Sequence, residues 1–457
     1  MTSNRRIMLN GFKSATIGHT ALGLWTHPDN AVRDYGRLDY WTGIARTLER
    51  GCFDALFIAD AQGVIDVYQG STDVTLREAL GIPIIDPMLL VSAMAAATEH
   101  LGFAVTASTT YEKPFDLARK FATLDLVTGG RVGWNIVTSS SRSEAENFGM
   151  SKPIPHDERY RIADEFMDVV YKLWESSWDD DAVVHDRERR VFVDPAKVRR
   201  IEHHGKYFDV PGIFICEPSP QRTPALYQAG SSTAGVAFAA RHAEGVFVSF
   251  PRMDMVRDAV RKLRAAAVEA GRPPGDLKVF PLSTVVTAET DELAWEKYHE
   301  YRAHSRSEAN LARFSALVHV DMAALDPDEP LEYVESDGIQ GSLSVFTKAD
   351  PTRKWTPREI GEFLSVSSMG ALFVGSPTTV ADQLEEWVEQ ADVDGFNISD
   401  TLSSVTFPDF VDLMVPELRR RGRVWSSYEG ATFREHLYGP GHARTMPGHP
   451  ATEYRRG

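Results

Sequence analysis

Apolar positions recur along this chain in two alternating rhythms. Short continuous runs, each bounded by polar or glycine-containing segments, have the length of strands buried on both faces: Ile7–Phe12, Ala55–Ala59, Phe103–Ser108, Val132–Thr138, Ala225–Ala229, Gly245–Phe250, Lys278–Val286 and Gly395–Ser399. Between them lie stretches with helical spacing: Leu38–Arg50, Pro87–His100, Phe115–Leu126, Arg159–Glu175, Met253–Ala270, Asp291–Arg313 and Thr378–Gln390. In Arg159–Glu175, residues Ile162, Phe166, Val169, Val170 and Leu173 share one helical face. Strands joined by helical crossovers pair in parallel. Eight such units predict an α/β fold, a closed (β/α)8 TIM barrel in preference to an open doubly wound sheet.

Two stretches, Ser139–Pro224 and His304–Gly375, are too long to be simple connections and read as insertions after strands 4 and 7. The loops at the C-terminal ends of barrel strands build the active site, so long insertions there are expected to wall or cover a pocket; surface decoration or a subunit contact is the alternative. Beyond Arg419-Arg420-Arg421, a tail at about 422–457 carries Trp425, Tyr428, Phe433 and Tyr438 and is expected to pack on the barrel or on another subunit. The whole chain, 1–457, thus reads as one barrel domain, with insertions at about 139–224 and 304–375. The apolar stretch Pro87–Ser108 approaches membrane-spanning length, but Glu99, His100 and Gly102 interrupt it, so it reads as a buried helix turning into a strand.

Charge narrows the partners. Lysine plus arginine minus aspartate plus glutamate is 49 − 65 = −16, and such a chain gains nothing from phosphate attraction, so nucleic acid and anionic membranes are not expected to bind. Two cysteines, Cys52 and Cys216, and a start without an apolar signal core point to the cytoplasm.

Several chemistries lose support because their motifs are missing: the Rossmann fingerprint, the P-loop, H-E-x-x-H, C-x-x-C and G-x-S-x-G. Glycoside cleavage needs paired carboxylates, whereas the strand ends read Asn10, Asp60, Ser108/Thr109, Thr138/Ser139, Gly230/Ser231 and Ser249/Phe250. Only Asp60, with Asp400, is acidic. A rim of hydroxyls, amides and glycines suits a large polar cofactor. Tyr227-Gln228-Ala229-Gly230-Ser231-Ser232-Thr233 passes from a strand into a helix, where free N–H groups and the helix dipole would meet an anion. Plain N-capping by the serines is the competing reading. No metal site is expected.

Three stretches carry a resemblance: Phe53-Asp54-Ala55-Leu56-Phe57-Ile58-Ala59-Asp60, the block Thr123–Ser139 ending Asn135-Ile136-Val137-Thr138-Ser139, and His156-Asp157-Glu158-Arg159-Tyr160. They are similar to the bacterial-luciferase-like flavin monooxygenases, in the branch with nitrilotriacetate, dibenzothiophene-sulfone and long-chain alkane monooxygenases. The resemblance implies a TIM barrel, FMN reduced by a separate NAD(P)H-dependent flavin reductase, molecular oxygen as co-substrate, and a homodimer or homotetramer. It implies that Asp60 and Thr106 line the flavin, that Asn135, Val137, Thr138 and Ser139 run along its ring, that His156 and Tyr160 reach the ribityl–phosphate arm, and that Gly230 and Ser231 hold the phosphate.

His19, with Asn135, is the candidate for a catalytic group; a histidine near its ordinary pKa could polarise or protonate near neutrality. Phe12, Trp25, Tyr68, Tyr111, Trp134 and Phe346 are candidate apolar walls. Further stretches, such as Gly18-His19 and Cys216–Pro224, most resemble the alkane-oxidising members, yet Thr16 and Ser140 stand where those have a cysteine and a histidine. The expected substrate is a small organic compound of a catabolic pathway, an alkane or a heteroaromatic or other xenobiotic. A deazaflavin-dependent hydride-transfer enzyme and a non-catalytic flavin-binding barrel are the alternatives.

Overall fold

The computed structural model describes residues 5–230, 232–332, 340–347 and 353–455. Eight parallel strands form a ring: β1 (Met8–Ser14), β2 (Ala55–Ala59), β3 (Gly102–Ser108), β4 (Val132–Val137), β5 (Ala225–Gln228), β6 (Gly245–Val248), β7 (Lys278–Thr287) and β8 (Gly395–Ser399). β8 pairs back onto β1, Gly395 opposite Met8 and Ser399 opposite Phe12, which closes the barrel. The fold is the expected (β/α)8 TIM barrel. One strand was not anticipated. Ala371–Gly375, placed by sequence inside the second insertion, pairs in parallel with Ser283–Thr287 of β7. β7 is ten residues long, so its C-terminal half overshoots the ring and offers this extra edge.

Side chains alternate across each strand. Leu9, Leu56, Ile58, Phe103, Val105 and Leu226 face outward into the helical layer. Met8, Phe12, Phe57, Tyr227, Phe247 and Phe280 fill the interior. The rings of Phe57 and Phe247 stack at 4.1 Å, with Tyr227 5.2 Å from Phe247. The predicted membrane-length run is indeed a helix, Met88–Ala96, followed by β3. Among the described residues no helix is long and apolar enough to cross a membrane.

The tail packs on the barrel and closes its N-terminal end. Its helix Phe433–Tyr438 starts in a capping box between Thr432 and Glu435. The Phe433 ring occupies the space left by two strand glycines: a Cβ on Gly102 or Gly133 would stand 2.6 or 2.7 Å from it. Arg434 is fully buried, with Nε donating to Glu244 Oε1 at 2.7 Å and Nη2 donating to the carbonyls of Thr223 and Pro224. Tyr438 Oη donates to Asp276 O at 2.6 Å, and the Arg6 guanidinium lies 3.8 Å over the Trp425 ring. The C-terminal mouth is the end the tail does not cover. Over it, the loops after β1 and β2 and the second insertion share a separate core that includes Leu22, Ile65, Leu80, Leu311 and Phe314.

Candidate active site

Thr106 on β3 and Asn135 on β4 sit opposite one another in register, facing the mouth. Asn135 Nδ2 donates to Thr106 Oγ1 at 3.0 Å, and Thr106 Oγ1 donates to Ile58 O at 3.1 Å. This chain of donors fixes the amide. It leaves Asn135 Oδ1 buried without a partner, an acceptor aimed at whatever fills the mouth. Val137, Thr138 and Ser139 continue along the rim, half-buried. Asp60, at the end of β2, is half-buried as well. Burial, and then the negative charges of Asp86 and Glu144, push its carboxyl up to about 7, against the backbone N–H of Ala61.

Next along the ring, β5 leads into the helix Thr233–His242. Ser232 is its N-cap, its Oγ accepting from Gly235 N at 3.0 Å. Helix His156–Tyr171 of the first insertion brings two more groups to the same point. His156 Nε2 lies 3.2 Å from Ser232 Oγ, while its Nδ1 is 2.8 Å from Asp157 Oδ1. The Tyr160 ring lies 5.1 Å from that of His156. A Cβ on Gly235 would stand 2.8 Å from Tyr160 Oη and 3.1 Å from Ser232 Oγ, so the hydroxyl reaches the helix N-terminus only because residue 235 has no side chain. Gly230 is half-buried beside this cradle; Ser231 lies outside the described residues. Sequence reasoning missed the roles of Ser232 and Gly235, although the Ser-Ser-Thr-Ala-Gly string already held a hydroxyl one residue before the helix.

Across the ring from β5, the loop after β1 borders a small cleft, partly open to solvent and lined by Phe12, Thr16, His19, Thr20 and Trp25 among others. His19 lies edge-on to Phe12 at 5.3 Å. Its Nδ1 is out of reach of solvent and has no partner. Here the structure corrects the expectation of a near-neutral pKa. Burial, followed by the positive charges of Arg313 and Lys13, pushes His19 down to about 3, so the ring is neutral at physiological pH and holds no proton to give as an imidazolium. Lys13 is paired with Asp400 at 2.5 Å and with Ser403 Oγ at 3.0 Å.

Of the expected walls, Phe12 and Trp25 line this cleft, and Tyr111, at the end of β3, stacks on Phe148 at 4.3 Å. Trp134 does not face the mouth: it points outward among Phe121, Phe166 and Trp174, and Nε1 donates to Ala107 O at 3.0 Å. Tyr68 and Phe346 belong to the lid core.

The residues present suit a flavin nucleotide. The cradle combines a helix N-terminus with two side-chain hydroxyls and an imidazole, and the adjoining strands offer an orphaned amide oxygen to a ring with N–H groups. A family profile described as luciferase-like monooxygenase matches residues 20–394. The chain is 47% identical over 451 residues to a dimethyl-sulfide monooxygenase from Hyphomicrobium sulfonivorans, covering 99% of this chain and 94% of that one. It is 43% identical over 451 residues to a long-chain alkane monooxygenase from Geobacillus thermodenitrificans, covering 99% and 98%. The expected primacy of the alkane members is therefore not borne out. A crystal structure of a riboflavin lyase with modified FMN and riboflavin superposes with a TM-score of 0.92 at 34% identity, covering 99% of this chain and 100% of that one. This chain belongs to the luciferase-like monooxygenase family and is a flavin-dependent monooxygenase.

Proposed function

We propose that this enzyme binds FMN across the barrel mouth, receives it reduced from a separate NAD(P)H-dependent flavin reductase, and uses molecular oxygen to oxygenate a small organic substrate. The carrying observation is the meeting of Ser232 Oγ, His156 Nε2 and Tyr160 Oη over Gly235 at a helix N-terminus, beside the Thr106–Asn135 pair. Gly230, Ser231, Ser232, His156 and Tyr160 would hold the phosphate; Asp60, Thr106, Asn135, Val137, Thr138 and Ser139 would line the ring. Reduced FMN, when bound, would supply the electrons that activate oxygen.

The chain's own part is orientation and the exclusion of water and stray protons. Asn135, locked by Thr106, presents an acceptor without an acid. His19, held neutral by its surroundings, serves as a hydrogen-bonding group in the cleft where substrate would lie, and not as a standing acid. The tail packs across the far end of the barrel, so substrate and oxygen would enter at the mouth. The same reading takes the whole chain as one domain, working in the cytoplasm as a homodimer or homotetramer, on a compound of a catabolic pathway.

Fluorescence titration with FMN and riboflavin tests the cradle: FMN should bind much more tightly, and equal affinities would refute the phosphate site. Photoreduced FMN supplied with ¹⁸O₂ then tests the reaction, whose product should carry one labelled oxygen atom. Oxidised product without label would favour hydride transfer.

A further inference from the structure

Asp157 follows His156 in the first turn of the helix His156–Tyr171, and its Oδ1 lies 2.8 Å from His156 Nδ1. The hydrogen bond from His156 is the largest influence on this carboxyl and lowers its pKa from the ordinary aspartate value, so the group is ionised and can only accept. His156 Nδ1 must therefore carry a proton. A neutral imidazole has no second one. Its Nε2 is then a bare acceptor, and the Ser232 hydroxyl, 3.2 Å away, must be the donor to it. Ser232 Oγ also accepts from Gly235 N at 3.0 Å, so its single proton is committed.

In this state neither Ser232 nor His156 has a donor left for an anion. A phosphate monoester well above pH 6 is a dianion whose oxygens only accept, and it would face the lone pair on Nε2. One proton from solvent, taken onto that lone pair, changes both groups. The imidazolium donates to Asp157 through Nδ1 and forward through Nε2, and the Ser232 hydroxyl is released to donate as well. Asp157 is largely exposed, so its attraction for the new charge is screened; what it decides is which nitrogen holds the first proton. Around the pair, Arg161 on the same helix acts on Asp157, the Tyr160 ring lies 5.1 Å from His156, and the helix Thr233–His242 brings no acidic residue in its first turn.

We infer that FMN binding by this enzyme takes up one proton: His156 becomes an imidazolium between Asp157 and the phosphate, and Asp157 is the positioning residue that sets its tautomer. The inference rests on the reading of this cradle as the phosphate site.

Calorimetric titration of the full-length chain with FMN at pH 8, in buffers of different ionisation enthalpy, counts the protons; about one per FMN is expected. Between pH 7.5 and 8.5 the FMN Kd should rise about 10-fold, while that of riboflavin, which lacks the phosphate, changes little. Riboflavin also controls for Asp60, whose carboxyl is pushed up to about 7: on the ring side its effect would fall on both ligands and cancel in their ratio. His156→Gln supplies a permanent N–H and should make that ratio independent of pH. Asp157→Asn has an amide that can donate to Nδ1, which opens the Nε2–H tautomer without uptake, so the count should fall below about one half, and Asp157→Glu should restore it. FMN preferred over riboflavin with no proton uptake leaves the cradle standing and overturns the inference. A pH-dependent ratio that survives His156→Gln, or a count unchanged in Asp157→Asn, overturns it too. FMN no tighter than riboflavin at every pH overturns the phosphate reading and this inference together.

Discussion

Replacing Gly235 by alanine tests the phosphate cradle with one methyl group. The new Cβ would stand 2.8 Å from Tyr160 Oη, 3.1 Å from Ser232 Oγ and 3.3 Å from Gly230 Cα, so the tyrosine hydroxyl must leave the helix N-terminus. A hydrogen bond from a hydroxyl to a charged phosphate is worth about 1.5–3 kcal/mol, or about 10- to 150-fold in Kd. Stability should move the other way, if at all. Gly235 has an ordinary helical backbone, its N–H goes on donating to Ser232 Oγ, and alanine outranks glycine in a helix by up to about 1 kcal/mol. Opposite signs in the two measurements separate loss of the cradle from loss of the fold.

Flavin fluorescence titration reads the effect, with riboflavin, which lacks the phosphate, as control. FMN should weaken at least about 10-fold and riboflavin hardly at all. Tyr160→Phe should cost FMN a similar factor, and adding it to Gly235→Ala should cost little more, because both remove one contact. An FMN affinity within about twofold of wild type in Gly235→Ala, an equal loss for riboflavin, or additive effects in the double variant would refute the placement of Tyr160 on the phosphate.

Three other outcomes follow from the same geometry. Asp60 holds a proton up to about 7 in the folded chain but only up to 3.8 when free, so the native state binds the extra proton between those values and stability should fall as pH rises through that window. Urea midpoints from pH 4 to 8 should show part of that slope vanishing in Asp60→Asn, and an unchanged slope would place the effect elsewhere. Arg434→Met strands Glu244 as a buried unpaired carboxylate and should cost about 3–5 kcal/mol in chemical denaturation; a loss below about 1 kcal/mol would show that the tail is not part of the cooperative fold. Phe433→Ala empties the space beneath Gly102 and Gly133 and should cost about 3–5 kcal/mol while FMN affinity in the folded fraction is preserved.

What the chain disclosed in advance, and what it withheld, divides by how local each signal is. Barrel strands buried on both faces must be apolar throughout, so their runs stood out. Ala371–Gly375 carries the same signal, but once eight units had closed the ring nothing local showed that β7 was long enough to pair with a further strand. The His156–Tyr160 spacing put both residues on one helical face, and their rings do lie 5.1 Å apart, with His156 beside Ser232. Trp134 could have been placed correctly from strand parity alone: neighbours in a strand face opposite ways, so a Trp134 beside an inward Asn135 must point outward. His19 was beyond any such rule. Its state is set first by burial under loops whose pairing no short-range pattern records, and then by the positive charges of Arg313, 294 positions away in the chain, and Lys13. The side chains that shape a cofactor site sit on strand ends and can be read in order along the sequence. The charge those side chains carry is a property of whatever the fold lays over them, and in this barrel burial first, and then the nearby Arg313 and Lys13, keep an otherwise ordinary histidine neutral.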